Sequence, residues 1–264
     1  MGVPKRQNLR MARERAWLEG LYRRYHWPRY IEPDPLQYPR AFDALPDREV
    51  VAVVASALAY GNVKAMGAAI DRVLACLGAS PAATLAEISA ATLRRRFRGF
   101  RYRFTDARKL TGLLTAIGRV QRERGALANL VATAPDEATV VPALGRLASA
   151  LRDASPCPLD HLVPHPDGGS ACKRMLLLLR WMGRNDRVDP GGWTAIDPAR
   201  LVMPLDTHVY RVAHERGWTR RRTPDLRAAL EITDVLRAIR PDDPLRYDFA
   251  ITRPGIRRAR TMGA

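Results

Sequence analysis

The sequence predicts an all-α protein. Apolar residues recur at helical spacing along most of the 264 residues, and no stretch sustains the alternation of apolar and polar residues that is typical of a strand. Many of the prolines lie between the periodic segments, where proline ends a helix or separates it from the next. Helices joined by proline-containing connections are therefore expected.

The periodic segments give the predicted helices in chain order. Their residue ranges are 12–25, 50–60, 63–77, 85–97, 106–124, 140–152, 170–184, 207–216 and 225–239. The helix at 170–184 is apolar enough to be buried on most of its sides.

Positive charge dominates the composition. Lysine and arginine number 44 against 27 aspartate and glutamate residues, which gives a formal charge of +17 and an isoelectric point near 10.8. A coding bias towards arginine explains arginine in place of lysine, but it does not explain the shortage of acidic residues. A positive excess is typical of proteins that bind a polyanion, and it is consistent with DNA as the partner.

The cysteines and the apolar runs exclude several classes of protein. Cys76, Cys157 and Cys172 have no Cys-x-x-Cys spacing, which argues against a zinc site and a four-cysteine iron–sulfur cluster, so we expect no metal and no cofactor. A sparse, odd cysteine count suits a reducing cytosol. The N-terminus lacks the apolar segment of a signal peptide, and the longest apolar run, 50–60, is far shorter than the roughly 20 residues of a membrane-spanning helix. A cytoplasmic protein without a membrane span is expected.

Asp206 is the most informative residue of the chain. The segment Pro-Leu-Asp-Thr-His-Val-Tyr-Arg-Val at 204–212 sets this carboxylate at the start of an amphipathic helix. Aspartate is a common N-cap because its side chain accepts hydrogen bonds from the free N–H groups of the first helical turn. Its other oxygen stays available to whatever lies in front of the helix. Two interpretations stay open here, a capping residue alone and a residue that also takes part in a reaction.

A glycine-rich turn precedes the apolar helix at 170–184. The segment His-Pro-Asp-Gly-Gly-Ser-Ala-Cys-Lys-Arg occupies 165–174, and we predict Ser170 as the N-cap. Such a turn directs bare N–H groups and the positive end of a helix at one place, which suits a phosphate. The candidate DNA-binding residues of this turn are Gly168, Gly169, Ser170 and Arg174. Lys173 is either a solvated or phosphate-contacting residue or a nucleophile.

A polar interruption separates two predicted helices near the start of the chain. Tyr-Gly-Asn-Val-Lys at 60–64 breaks the apolar pattern, and helical spacing resumes after it. The Gly-Asn dipeptide favours an ordinary turn. The alternative is a contact with DNA through Asn62 and Lys64.

Basic and aromatic residues alternate at 94–104. Arg94, Arg95 and Arg96 begin the segment, and three further arginines alternate with Phe97, Phe100, Tyr102 and Phe104. Arginine pairs with phosphate through two hydrogen bonds, and an aromatic ring can stack on an exposed base or wedge into a duplex. The rings can equally be core residues of a helix and loop. We assign most of the rings to the core and some of the arginines to phosphate contacts.

The segment around Asp206 resembles the one that carries the catalytic aspartate in the helix-hairpin-helix DNA glycosylase superfamily. Leu-Asp-Thr-His-Val-Tyr-Arg-Val at 205–212 is similar to the Val-Asp-Thr-His-Val-x-Arg-Val of its endonuclease III-like members. The resemblance implies that Asp206 is catalytic. It implies that the glycine-rich turn is the hairpin that grips the DNA backbone, with Lys173 in place of the lysine of members that also cut the strand. Asn62 matches a polar residue that fills the gap left by an extruded base.

The resemblance has two departures. The usual Leu-Pro-Gly-x-Gly of the hairpin is absent, and Lys173 precedes Asp206 by 33 positions, a longer interval than in endonuclease III-like enzymes. This interval is similar to that of the archaeal 8-oxoguanine branch, with 183–200 as the insert, so 8-oxoguanine is the expected lesion. The candidate wall residues of the base pocket are Trp181, His208, Tyr210 and Phe249.

The chain as a whole is identified as a member of DUF2400, a bacterial group of uncharacterised proteins, over roughly residues 34–256. The motifs that carry this resemblance are Ala-Tyr-Gly-Asn-Val-Lys at 59–64, Gly-Ser-Ala-Cys-Lys-Arg at 169–174, Leu-Leu-Arg-Trp-Met at 178–182, Pro-Leu-Asp-Thr-His at 204–208 and Tyr-Asp-Phe-Ala at 247–250. Membership in this group implies no activity by itself.

The superfamily resemblance implies two helical lobes with the active-site cleft between them. Residues 1–45 and 205–264 would form one lobe, and residues 46–204, with the hairpin at about 160–184, the other. It implies a base-excision repair glycosylase, expected to be monomeric and associated with the nucleoid, that acts on double-stranded DNA with a damaged base and has lyase activity through a Schiff base. The alternative is a non-catalytic protein that binds DNA or RNA with the same fold.

Overall fold

The computed structural model describes residues 5–261, with side chains for residues 8–255. Within that range the regular structure consists of twelve α-helices, four short 3₁₀ helices and one two-stranded antiparallel hairpin. The predicted all-α class is thus confirmed for the described part of the chain.

The α-helices are α1 (Lys5–Tyr25), α2 (Gln37–Arg40), α3 (Leu45–Leu58), α4 (Val63–Leu77), α5 (Pro81–Glu87), α6 (Ala90–Arg96), α7 (Ala107–Arg124), α8 (Val141–Asp153), α9 (Lys173–Gly183), α10 (Thr207–Glu215), α11 (Leu226–Ile239) and α12 (Asp248–Thr261). The strands are β1 (Arg101–Tyr102) and β2 (Thr105–Asp106), and the 3₁₀ helices cover Pro28–Tyr30, Leu127–Leu130, Pro166–Gly168 and Pro198–Arg200.

Capping side chains begin several of the helices that the sequence predicts. Asn62 accepts from the N–H groups of the first turn of α4, and Asp206 and Asp225 begin α10 and α11 in the same way. Each cap satisfies an N–H group that the first turn leaves unpaired. The predicted helices at 63–77 and 207–216 are confirmed within one residue.

Other predicted boundaries were wrong for local reasons. The predicted helix at 85–97 is two helices, because Ile88 is extended and Ser89 caps a new helix by accepting from the N–H of Thr92. The prediction also missed α12, which contains Pro254. Proline lacks an N–H and normally ends a helix, so the pattern suggested none there.

Helix α3 forms the centre of the fold. Its residues from Glu49 to Leu58 are all buried, and the helix packs against α2, α5 and α9. The buried Glu49 carboxylate accepts from Trp193 Nε1 at 2.8 Å and from the N–H groups of Leu127 and Ala128 at 3.0 and 2.9 Å. Burial of a charge is tolerated only with such partners. The core therefore holds α3 firmly, together with the Tyr60 turn that follows it.

The first and last segments of the chain contact each other. Helix α1 packs against α11 and α12, and α10 also packs against α12. Division of the chain into one lobe of residues 1–45 and 205–264 and another of residues 46–204 stays a prediction.

The basic and aromatic segment at 94–104 ends in the β1–β2 hairpin. Phe97, Phe100 and Tyr102 are buried, as predicted for most of its rings. Phe104, at the turn of the hairpin, is 64% exposed. Strands of two residues are too short to leave an alternating pattern in the sequence.

Within residues 5–261 no single helix is long and apolar enough to cross a membrane. The consecutive helices Val63–Leu77 and Pro81–Glu87 pass that test of length and composition only as a pair, bent by 60° at the break. No group of three His, Cys, Asp or Glu side chains in the described part of the chain could hold a metal ion.

Candidate active site

A pocket of about 190 Å³ brings together residues that are distant in the sequence. Its walls come from the connection before α2, the α3–α4 turn, α9, the start of α10 and α12. Lys173 and Asp206, the two predicted catalytic residues, both line it, and we call it the Lys173 pocket. The charged residues around it are Asp34, Lys173, Arg180, Asp206, Asp248 and Arg253.

Lys173 enters the pocket from the first turn of α9. The residue before it, Cys172, is the N-cap and has a φ of 47°, in the left-handed region that residues with a side chain rarely adopt. Lys173, Leu177 and Arg180 follow at helical spacing and line the pocket with one face of α9. The partly buried Lys173 amine has no hydrogen bond or ion pair with any of the described residues.

Asp206 faces the pocket from the N-terminus of α10. Its Oδ1 accepts from the N–H of Val209 at 2.7 Å, and its backbone is extended, with φ −101° and ψ 175°. No described residue hydrogen-bonds to Oδ2. The carboxylate therefore caps the helix with one oxygen and keeps the other available.

Two ion pairs line the pocket beside these residues. Arg253 Nη2 donates to Asp34 Oδ2 at 2.5 Å, and Arg180 Nη1 donates to Asp248 Oδ2 at 2.5 Å. Burial disfavours the charged form of Asp34, but Arg253 and the N–H of Leu36 outweigh it and lower the pKa of that carboxyl. Burial raises the pKa of Asp248, the charge of Asp206 adds to the rise, and Arg180 opposes it.

Acidic and basic residues line the pocket in equal numbers. The acidic ones are Asp34, Asp206 and Asp248, and the basic ones are Lys173, Arg180 and Arg253. This balance contrasts with the formal charge of +17 for the whole chain. The positive excess therefore lies outside the pocket.

Arg180 and Arg184 belong to a buried ionic cluster at the C-terminal end of α9. Asp189 Oδ1 accepts from Arg180 Nη2 at 2.8 Å, and its Oδ2 accepts from Arg184 Nη1. The three side chains are at most 5% exposed. Burial alone would lower the pKa of both arginines, but their carboxylate partners outweigh it and raise each pKa, so both stay charged.

The same cluster reaches two other parts of the chain. Arg184 Nε donates to Asp243 Oδ1 at 2.9 Å and its Nη2 donates to Asp186 Oδ2 at 2.9 Å. Asp186 Oδ2 is also 2.9 Å from Nε2 of His26, which is fully buried. The segment 183–200, predicted as an insert, is thus joined to α9 by ion pairs and to His26, the residue after α1, by a hydrogen bond.

The glycine-rich turn is exposed in front of α9. Gly169 adopts a left-handed φ of 73°, and a Cβ added at Gly168 or Gly169 would meet no atom within 4 Å. The prediction of Ser170 as the N-cap was wrong. Its Oγ accepts from the N–H of Cys172 at 3.2 Å, and the left-handed Cys172 delays the helix to Lys173. The predicted phosphate contacts of this turn stay predictions.

Arg174 points into the protein. Its Nη1 donates to the carbonyl of Ala57 at 2.7 Å, its Nη2 donates to the carbonyl of His161, and its guanidinium lies 5.0 Å from the ring centroid of Tyr60. Burial lowers the pKa of Arg174. These contacts anchor α9 to α3, and the predicted contact with DNA stays a prediction.

The other predicted DNA-binding residues are exposed. Asn62 caps α4 by accepting from the N–H groups of Lys64 and Ala65 at 3.0 and 3.1 Å, so the interruption is a turn that leads into a cap. Gly61 and Val63, on either side of Asn62, line the Lys173 pocket. The last turn of α6 carries the exposed residues Arg94, Arg95 and Arg96.

None of the four candidate wall residues lines the Lys173 pocket. Trp181 and Phe249 are each 1% exposed and belong to the hydrophobic core. His208 lines a separate pocket, where Gly255 leaves room for its ring, and Tyr210 donates its hydroxyl to the carbonyl of Arg221 at 2.6 Å. The residues that line the pocket instead include Tyr60, Met66 and Leu177.

Sequence reasoning missed four charged residues of the pocket, Asp34, Arg180, Asp248 and Arg253. One signal was present, because Arg180 interrupts an otherwise apolar run, and a buried arginine requires a carboxylate partner. Nothing local connects Arg180 to Asp248, which lies 68 positions away.

Comparison with known proteins identifies one family. The family model described as DUF2400, a protein of unknown function, matches residues 34–257. Neither a curated protein nor a solved structure gives a significant match.

Proposed function

The chain belongs to the DUF2400 family, to which no function is attached, and we propose that it is a DNA repair glycosylase that removes a damaged base from duplex DNA. One observation carries the proposal. An unpaired lysine and a carboxylate with a free oxygen, 33 positions apart, line the same pocket at the starts of two helices. That is the pair of groups that cleavage of an N-glycosidic bond with a Schiff-base step requires.

The carboxylate serves the first step. When the bond between the base and C1′ breaks, the base leaves with the bonding electrons and takes up a proton, and positive charge develops on the sugar. The fixed Asp206 carboxylate stabilises that charge, since an oriented ionic group in a partly water-excluded site needs no reorganisation during the reaction. The available Oδ2 is the atom that would face the sugar.

The amine serves the second step. Lys173 in its neutral form attacks C1′, and opening of the sugar ring at O4′ gives a protonated imine. Loss of a proton from C2′ then expels the 3′ phosphate with the electrons of its C–O bond. Water hydrolyses the imine and restores the amine.

The damaged base must leave the duplex and enter a pocket. We propose 8-oxoguanine as the lesion on the basis of the long Lys173–Asp206 interval. The Lys173 pocket has acceptors in the carboxylates of Asp34 and Asp248 and donors in the guanidinium groups of Arg180 and Arg253, which suits a base with both donors and acceptors along its edge. A wrong base would leave buried polar groups unpaired, which costs about 1–3 kcal/mol for each group.

Borohydride trapping tests both the reaction and the residue. Duplexes that carry 8-oxoguanine, uracil, thymine glycol or an alkylated purine are incubated with the protein, and single-turnover rates and trapped complexes are measured. We expect the fastest excision and a covalent complex with 8-oxoguanine. Lys173→Gln should abolish the complex, because an amide cannot form an imine.

The chain offers matched controls, since its lysines occur only at positions 5, 64, 109 and 173. Lys64→Gln and Lys109→Gln remove an exposed and a partly buried amine outside the Lys173 pocket, and the complex should survive both. Survival of the complex in Lys173→Gln would assign the nucleophile elsewhere. Faster excision of a pyrimidine lesion would overturn the substrate, and binding without any excision would favour the non-catalytic alternative.

A further inference from the structure

The ionic cluster at the C-terminal end of α9 contains more carboxylates than cations. Among the side chains of residues 8–255, its arginines pair with the carboxylates of four residues, Asp186, Asp189, Asp243 and Asp248. The cations that pair with them are Arg180, Arg184 and, when it is protonated, His26. Excess negative charge away from water is costly, and a proton on one of the carboxylates relieves it.

Asp248 is the one carboxylate of the cluster with an oxygen that has no hydrogen-bond partner among the described residues. Asp186, Asp189 and Asp243 each accept through both oxygens. Asp248 accepts only through Oδ2, from Arg180 Nη1 at 2.5 Å, and its side chain is 3% exposed. An oxygen that is shielded from water and has no donor gains most from a proton of its own.

The electrostatic surroundings also favour a proton on Asp248. Burial raises the pKa of this carboxyl, the charges of Asp206 and Asp189 add to the rise, and Arg180 only partly opposes it. Burial acts in the same direction on Asp186, but its hydrogen bond with His26 and the charge of Arg184 outweigh it and lower the pKa of that carboxyl. The proton of the cluster is therefore expected on Asp248.

Asp248 is also the member of the cluster with the right position for a reaction. It is the first residue of α12 and lines the Lys173 pocket together with Lys173 and Asp206. The proposed reaction uses Asp206 as an anion and Lys173 as a neutral amine, so neither of them supplies the proton that the departing base takes up. A positioned carboxylic acid can supply it during bond cleavage.

We propose that Asp248 is the general acid that protonates the departing base. The O–H bond of the Asp248 carboxyl breaks, and its proton forms a bond with an acceptor atom of the base. The electrons of the bond between C1′ and the base leave with the base. The Asp248 carboxylate that remains is paired with Arg180, and water returns the proton after the base has left. The proposal rests on the proposed function and completes its first step.

The test compares two reactions of the full chain under single-turnover conditions. One substrate is a duplex with 8-oxoguanine, from which a base must leave, and the other is a duplex with a preformed abasic site, from which none does. Asp248→Asn keeps an oxygen that can accept from Arg180 but has no acidic proton. We expect it to slow base excision by about 100- to 10,000-fold and to change strand cleavage at the abasic site by less than about twofold.

Asp243→Asn is the matched control. It makes the same chemical change at another carboxylate of the cluster, one that pairs with Arg184 and lies outside the Lys173 pocket. Both rates should stay at the wild-type level in this variant. Thermal unfolding shows whether each variant is folded.

The wild-type chain gives a second readout, which does not depend on the folding of a variant. The ratio of the excision rate to the rate of strand cleavage at the abasic site should fall as the pH rises through the pKa of Asp248, because the acid loses its proton. The ratio of folded Asp248→Asn should not show this fall. The other charged groups that face Asp248 or line the pocket with it are Lys173, Arg180, Asp189, Asp206, Asp34 and Arg253.

The outcomes separate this proposal from the proposed function. Near wild-type excision by folded Asp248→Asn, or an equal loss of both rates, would show that Asp248 is structural, while the glycosylase proposal would stand. A wild-type ratio that is independent of pH would also overturn the general acid. A wild-type chain that removes no base from any lesion duplex would instead overturn the proposed function.

Discussion

The two ends of α9 carry cations that differ in burial and in the number of their carboxylate partners. At its first turn Lys173 is partly buried and has no partner among the described residues. At its other end Arg180 and Arg184 are almost completely buried, and each donates to more than one carboxylate. Apart from Arg174 the helix is apolar between its two ends, so the difference comes from what packs against each end.

The arginines at one end of α9 stabilise the fold, whereas the lysine at the other end has no such structural role. A buried arginine held by two carboxylates can neither move nor lose its proton, so its role is to fix the elements that it joins. A lysine at the edge of a pocket has lost part of its hydration without gaining a partner. Such a group is available for chemistry, and removing it should cost the fold little.

The largest expected effect is on stability, at the buried end. Asp189→Ala leaves Arg180 and Arg184 without their shared carboxylate, and breaking a buried ion pair from one side costs about 3–5 kcal/mol. The matched control is Glu215→Ala, which breaks an exposed pair with Arg211 and should cost at most about 1 kcal/mol. Denaturant unfolding measures both, and equal small losses would show that the cluster does not stabilise the fold.

The next effect is on activity, at the pocket end. Asp206→Asn keeps an oxygen that can cap α10 but removes the charge, so we expect unchanged stability and DNA affinity and an excision rate lower by about 100- to 1000-fold, the loss typical of one oriented electrostatic group. Asp225→Asn is the control, because Asp225 caps α11 with nearly the same backbone angles and lies outside the pocket. Single-turnover excision rates decide, and a normal rate for folded Asp206→Asn would reduce this aspartate to a cap.

The smallest expected effect is on the salt dependence of DNA binding. It concerns cations that are neither buried nor paired with a carboxylate. Glutamate at Arg94, Arg95 and Arg96 should flatten the dependence of duplex affinity on salt by about 0.9 in log–log slope for each phosphate contact that is lost. The control is the triple variant Arg13→Glu, Arg23→Glu and Arg24→Glu in α1, which changes the net charge equally. Equal slopes for both triple variants would place the DNA elsewhere.

The sequence predicted best what depends on neighbours along the chain. The helices that follow Asn62, Asp206 and Asp225 begin within one residue of their predicted starts, because capping uses N–H groups only two or three residues away, although of these three residues only Asp206 was predicted as a cap. Lys173 and Asp206 were selected by their motifs, and the structure brings both to one pocket. Ser170 shows the limit, since a cap is decided by backbone angles, and the left-handed Cys172 cannot be read from side-chain types.

The rest of the pocket depends on long-range contacts. Arg253 meets Asp34 across 219 positions and Arg180 meets Asp248 across 68, and no local pattern relates these residues. The positions of the four candidate wall residues of the base pocket also depend on long-range contacts. Trp181 and Phe249 are aromatic residues near the motifs, but burial in the core, which periodicity alone could not distinguish from a pocket wall, decides their position.

The equal numbers of carboxylates and cations around the Lys173 pocket have a consequence for competition inside a cell. Free nucleotides and inorganic phosphate are small anions. A pocket with equal numbers of acidic and basic residues does not concentrate anions electrostatically. The binding of an uncharged heterocycle does not depend on such an electrostatic attraction. If the protein binds DNA as proposed, we expect substitutions of basic residues outside the pocket, where the positive excess lies, to alter the affinity for the DNA backbone without changing which base the pocket accepts.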